Sequence, residues 1–289
     1  MPLPEFRNVQ SLFFLIPVVL LALLSLDSCA TLQSGAKKGG WYEDAERNST
    51  YRMYFLEETI PLIPELRARS PKLDFSVNLL DIQSGAVQTL LNKTLYDGMT
   101  CRRYAEERFA AIKKKYNDVY PSGGALESAP LQWEYHETGT GTLYHKGILV
   151  IERFRSMYDG GAHGMQEKEF FVLDTHALNR LRFSELFMPA AMNELKKIME
   201  TTLKKTFAER LGMSAKPETS LQMLGFFENS IEIPAENFFV TPAGLGFAWN
   251  PYQVAPYSYG IIEVELPYQN IHHLLSEKGR AVWNRIHKK

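Results

Sequence analysis

"ILVIERFRSMYDGGAHGMQEKEFFVLD", Ile148–Asp174, decides how this chain is read. Its two ends are dense in β-branched and aromatic residues. Ile148–Met157 reads as a strand, and "MQEKEFFVLD", Met165–Asp174, reads as another. Between them "SMYDGGAHGMQ", Ser156–Gln166, holds three glycines, an aspartate and a histidine. A strand on each side makes this a strand-to-strand turn. No helix follows whose N-terminus would hold a phosphate. The spacing fits neither a dinucleotide fingerprint nor a Walker loop. Asp159 and His163 are too few to hold a metal without an HxH or HExxH element elsewhere. Glycine at such a turn supplies positive φ and close backbone approach, and His163 is expected to fix the turn by bonding backbone.

Upstream, "STYRMYFLEETI" (Ser49–Ile60) and "KLDFSVNLLDI" (Lys72–Ile82) are strand-like, with the proline-bracketed "PLIPELRARSP" as a loop between them. Val87, Leu90, Leu91 and Leu95 recur at helical spacing and stop at Gly98. Tyr104, Phe109, Ile112 and Tyr116 mark a second helix. "LQWEYHE" and "TLYHKGILVIERFRSMY" then form a hairpin about "TGTG", Thr138–Gly141. Downstream, "LRFSELF" reads as a short strand with a helical turn, and Ala190–Leu211 is the longest helix. "NFFVTPAGLGFAWN" is a second hairpin, Ile262, Val264 and Leu266 line one face of a strand, and one or two short helices close the chain. The irregular order of strands and helices indicates an α+β fold. Two small modules are expected, each an antiparallel sheet with helices on one face, spanning residues 49–158 and 159–289.

The first residues belong to neither module. Arg7 precedes an uncharged apolar run, Ser11–Leu26, followed by "DSCATLQSG". A basic residue, a short apolar core and small residues read as an export signal. Ser28–Cys29 resembles the end of a bacterial lipobox, so residues 1–28 are expected to be removed and Cys29 to carry lipid, anchoring the chain to a membrane. Residues 29–48, polar with "GAKKGG", are expected to be a flexible tether. The other cysteine, Cys101, falls in a helical pattern, where it reads as a small buried hydrophobe. Two cysteines exclude a disulfide framework and a cysteine metal site. A net charge of −1 gives no field to concentrate nucleic acid, and no cofactor motif is present.

"WNPYQVAPYSYGIIEVELPY", Trp249–Tyr268, is the second candidate site. Tyr252, Tyr257 and Tyr259 stand beside Pro256 in a segment stiffened by proline. Exposed tyrosines there would be low-entropy anchors for a protein groove or a sugar ring; packed between sheet and helix they would be structural. Catalysis has weaker support. Asp159 and His163, with Glu263, are the residues a peptidoglycan or polysaccharide hydrolase would use, and no complete catalytic constellation is found.

"YDGGAHG", then "FFVLDTHALNRLRFSELF", then "FFVTPAGLGFAWNPYQVAPYSYGIIEVELPY", spanning Tyr158–Tyr268, resembles a bacterial extracytoplasmic domain family. It occurs in the C-terminal region of the lysozyme-sensing anti-sigma-V factor and beside the catalytic domain of peptidoglycan deacetylase C. The resemblance implies an accessory or sensing domain, not a catalyst, in the cell envelope, with lysozyme or cell-wall glycan as ligand. Tyr158, Asp159, Gly160, Gly161, His163 and Gly164 are its turn motif, and the Tyr252–Tyr259 loop its second hallmark. The chain departs from the anti-sigma layout in having only about ten residues before its apolar run.

Overall fold

The computed structural model describes residues 38–43, 51–61, 72–83, 85–119, 132–144 and 147–287. The export signal, Cys29 and the proline-bracketed loop lie outside the described residues. The described residues form an α+β fold with two sheets. The larger has seven strands in sequence order: β1 (Lys38–Glu43), β2 (Tyr51–Pro61), β3 (Lys72–Ile82), β4 (Gln132–Tyr144), β5 (Ile148–Tyr158), β6 (Met165–Asp174) and β7 (Asn179–Arg180). All neighbours are antiparallel except β3 and β4. A parallel pair needs a long crossover, and helices α1 (Gly85–Leu95) and α2 (Cys101–Val119) supply it.

Three expectations change. Lys38–Glu43, assigned to the tether, pairs along β2 as an edge strand. "TGTG" is not a turn: β4 runs through it, and the chain reverses after Tyr144. The reason is packing. A Cβ at Gly141 would stand 2.8 Å from Leu80 Cδ2 and 3.2 Å from Leu149 Cδ1, so this glycine lets neighbouring side chains close over the strand. Finally, the expected boundary at Tyr158/Asp159 falls within the large sheet, because β5 and β6 pair from Ile148↔Asp174 to Met157↔Met165.

That hairpin is the hinge of the architecture. Ile148 and Val150 on β5, with Phe170 and Val172 on β6, enter one core; Leu149, Ile151, Phe171 and Leu173 enter another. Both faces are buried here, which is why the sequence is continuously apolar instead of alternating. The second core lies under α1 and α2, with Leu91, Leu95, Tyr104 and Phe109 buried in it. The first is closed by the C-terminal region. This comprises α3 (Phe183–Leu186), α4 (Met192–Arg210), a three-stranded antiparallel sheet of β8 (Phe238–Val240), β9 (Gly244–Trp249) and β10 (Ile262–Pro267), then α5 (Tyr268–Ile271) and α6 (Glu277–His287). β9 is central in this sheet and buried along its whole length.

Beyond Ile151 the hairpin leaves the cores and becomes charged. Arg153 holds Glu169 through two nitrogens at 2.9 and 2.6 Å, and Arg155 reaches Glu167 at 2.6 Å. These are cross-strand partners in the register. The outer edge of β6 is finished by side chains. Asn250 Oδ1 accepts from the Lys168 amide at 2.7 Å. Asn237 Oδ1 accepts from the Phe170 amide at 2.8 Å, while its Nδ2 donates to the carbonyls of Lys168 and Ala248. The two asparagines tie the small sheet to the large one.

Candidate functional site

The charged half of the hairpin ends in the glycine turn, Asp159–Gly164. Gly160 sits at φ +90°, a conformation that favours glycine. A Cβ at Gly164 would stand 3.0 Å from the Met157 carbonyl oxygen, so the turn closes onto its own strand there. The expected reasons for two of the three glycines are thus present; Gly161 has neither.

His163 is exposed at the tip. One ring nitrogen, Nδ1, lies 3.0 Å from the Gly164 carbonyl, as expected of a residue fixing the turn. The other, Nε2, lies 3.1 Å from the Tyr252 hydroxyl. The ring also stacks on Tyr257, centroids 3.9 Å apart and planes 20° from parallel. The two stretches singled out in the sequence, about ninety residues apart, therefore meet through this one side chain. Tyr252 and Tyr257 lie 5.7 Å apart, and the three rings form an aromatic cluster at the surface.

Local sequence explains how Tyr252 gets there. The Gln253 amide donates to the Asn250 carbonyl at 3.1 Å, closing the turn Asn250–Pro251–Tyr252–Gln253. Proline suits its second position, and the third takes positive φ, where glycine is the usual occupant. Here it is Tyr252, at φ +69°. A bulky residue in the left-handed region is strained by about 1–2 kcal/mol. The Gln253 side chain steadies the turn by accepting from the Asn250 amide at 2.7 Å, and Asn250 is itself bonded to β6.

The other candidates go elsewhere. Tyr259 points inward: its hydroxyl donates to the Leu224 carbonyl at 2.8 Å, and its ring stacks on Phe207. Its place in the expected ligand surface is taken by His163. Pro256 is exposed beside Tyr257 and belongs to the same loop. Tyr158 is half-buried at the end of β5, opposite Glu134. Asp159 turns the other way and pairs with Lys115 of α2 at 2.8 Å. Glu263 pairs with Lys168 at 2.8 Å. Among the described residues, Asp159, His163 and Glu263 share no hydrogen bond or ion pair, and no group of three metal-ligating side chains forms. Cys101 is buried, and burial foremost, with the nearby Asp81 charge, pushes its thiol up to about 12. A thiol so protonated is a packing residue.

The sequence gives no sign of a polar network on the α2 side. Glu137 of β4 is 1% exposed, and its carboxylate accepts from Tyr135 at 2.5 Å and Tyr104 at 3.1 Å. Burial and that carboxylate raise both phenols. Arg108 donates to the Tyr104 hydroxyl at 3.0 Å. The network holds α2 to the sheet.

Residues 184–269 match the family described as "Protein of unknown function (DUF3298)". The matched region starts in α3 and ends in α5, so it includes the Tyr252–Tyr259 loop but not His163. A DUF3298-family protein from Bacteroides fragilis NCTC 9343 has a similar structure: TM-score 0.64, 19% identity, covering 89% of this chain and 99% of that one. A DUF3298-family protein from Pseudomonas aeruginosa PAO1 gives a TM-score of 0.52 at 15% identity, covering 84% and 94%. At these identities the likeness is one of fold. None of the curated proteins matches the chain. Among the described residues, no helix is long and apolar enough to cross a membrane.

Proposed function

We propose that this chain is a non-enzymatic, lipid-anchored protein of the bacterial cell envelope that binds an extracytoplasmic protein or glycan through His163, Tyr252 and Tyr257. One observation carries the reading: two distant motifs converge on an exposed aromatic cluster, and Tyr252 is held there in a strained backbone conformation. Strain persists where surrounding structure enforces it, and binding sites are common places for it. A tyrosine facing solvent from a proline-stiffened turn offers contact area at low entropic cost. His163 gives the cluster a polar, hydrogen-bonding edge. The resemblance to the envelope-sensing family supports lysozyme or peptidoglycan as ligand, with Cys29 as the lipid attachment. The dispersal of Asp159, His163 and Glu263 among separate partners favours binding over hydrolysis.

The test is calorimetric titration of the purified protein with lysozyme and with soluble peptidoglycan fragments. Tyr252→Ala/Tyr257→Ala is expected to weaken binding of the true ligand at least about tenfold, as loss of two aromatic anchors does. Equal binding by wild type and the double variant would remove the site.

A further inference from the structure

A second site lies on the α1 side of the large sheet, away from the aromatic cluster. The cleft between the last turn of α1 and β7 has a volume of about 490 Å³. That is within the range of small-molecule sites, roughly 300–1,000 Å³. Its polar lining is Lys93 and Thr94 from α1, Asn179, Arg180 and Arg182 from β7 and the residues after it, and Glu236 from the loop before β8. Leu90 and the exposed Leu178 give it apolar wall. We propose that this cleft binds a small organic phosphate whose body is compact and partly apolar.

Charge is the first argument. Among the described residues three cations line the cleft against a single carboxylate, and that carboxylate is 91% exposed. An exposed ion pair of this kind contributes little and is easily exchanged for a better anion. The helix dipole favours Lys93 at the end of α1, but it gives no reason for one arginine on the facing strand and another just after it.

Preorganisation is the second. The Arg180 guanidinium lies over the Phe171 ring, 4.9 Å from its centroid, and one nitrogen donates to the Glu236 carbonyl at 3.0 Å. A guanidinium held over an aromatic face, with donors left over, matches a phosphate through paired hydrogen bonds. Among the described residues no hydrogen bond or ion pair engages the Lys93 ammonium or the Arg182 guanidinium, and Arg182 meets the Glu185 charge only electrostatically. The strand that carries Arg180 is set by a strained turn. Leu178, just before β7, adopts φ +53°, and the Asp174 carboxylate caps the turn by accepting from the amides of His176 and Ala177, both at 3.0 Å.

The test is calorimetric titration of the full chain with phenyl phosphate, with phenol and inorganic phosphate in parallel. Phenyl phosphate is expected to bind more tightly than either, since the cleft offers both cations and apolar wall. Arg180→Gln/Arg182→Gln should weaken it at least about tenfold, as charge-assisted hydrogen bonds are lost. Lys93→Gln, on an exposed helix position where folding is not at risk, should weaken it by a smaller factor of about three. Tyr252→Ala/Tyr257→Ala should leave it unchanged, so the two sites fail independently. No binding by wild type up to about 5 mM phenyl phosphate, a free energy of only about −3 kcal/mol, would overturn the proposal. So would arginine and lysine variants that bind as wild type does.

Discussion

Tyr252 separates what a residue contributes from what its backbone position costs. Its φ of +69° disfavours any side chain with a Cβ. Tyr252→Gly should therefore be more stable than Tyr252→Ala by about 1 kcal/mol, measured as urea-unfolding free energies of the two variants. Equal stabilities would mean the turn relaxes when the ring is removed and stores no strain. The sequence marks this loop through its tyrosines and prolines. It does not show which tyrosine faces out, because Tyr252, Tyr257 and Tyr259 differ only in where the chain turns between them. Tyr259 is drawn inward by a carbonyl in a different segment, that of Leu224, and by the Phe207 ring. Partners that distant are invisible to local pattern, and so is the stacking of His163 on Tyr257.

At the scale of elements, Asn237 is a splice. Its amide replaces a missing strand along the outer edge of β6, satisfying the Phe170 amide and the Lys168 carbonyl at once. Asn237→Leu should cost about 2–4 kcal/mol, since an apolar side chain leaves those backbone groups unpaired. Native-state hydrogen exchange should speed up at Phe170 and not at Leu173, which lies within the stretch covered by β7. Unchanged protection at Phe170 would show that another group caps the edge. Most elements follow from periodicity, because strand and helix patterns are local. The exception at Thr138–Gly141 is instructive. Glycine signals a turn when only the chain is considered, but here it makes room for Leu80 and Leu149 within a strand. The glycine turn at Asp159–Gly164 reads correctly because apolar strands flank it on both sides.

For the molecule as a whole, α6 is fastened to the sheet by an ion pair as well as by its buried apolar face. The Arg285 guanidinium of α6 donates to both oxygens of Asp174, one of them at 2.9 Å, at the end of β6. Burial works against the Asp174 charge, but Arg285 and the amides of Ala177 and His176 outweigh it and hold the carboxyl below its ordinary value of 3.8. A carboxyl lowered by folding stabilises the native state fully above the unfolded value. That contribution is lost as pH falls through the lower, folded value. Asp174→Asn should lose about 2 kcal/mol at pH 7, and its stability should fall less steeply than wild type as pH drops from about 5 towards 2. Parallel pH profiles from denaturant midpoints would contradict this. The α+β class was legible from the order of elements. The continuity of the large sheet was not: β5 and β6 each serve both cores, and one sequence cannot tell a strand buried on both faces from one that ends a module.

The central claim, that the glycine turn and the tyrosine loop form one binding surface, can be mapped residue by residue. The most direct measurement is NMR of the His163 and tyrosine ring signals during titration with soluble peptidoglycan fragments and, separately, with lysozyme. With whichever ligand binds, the His163, Tyr252 and Tyr257 signals should shift together and saturate at one affinity, while the inward-facing Tyr259 and the buried Tyr104 stay in place. Saturable binding that leaves His163 and Tyr257 unshifted would contradict the account.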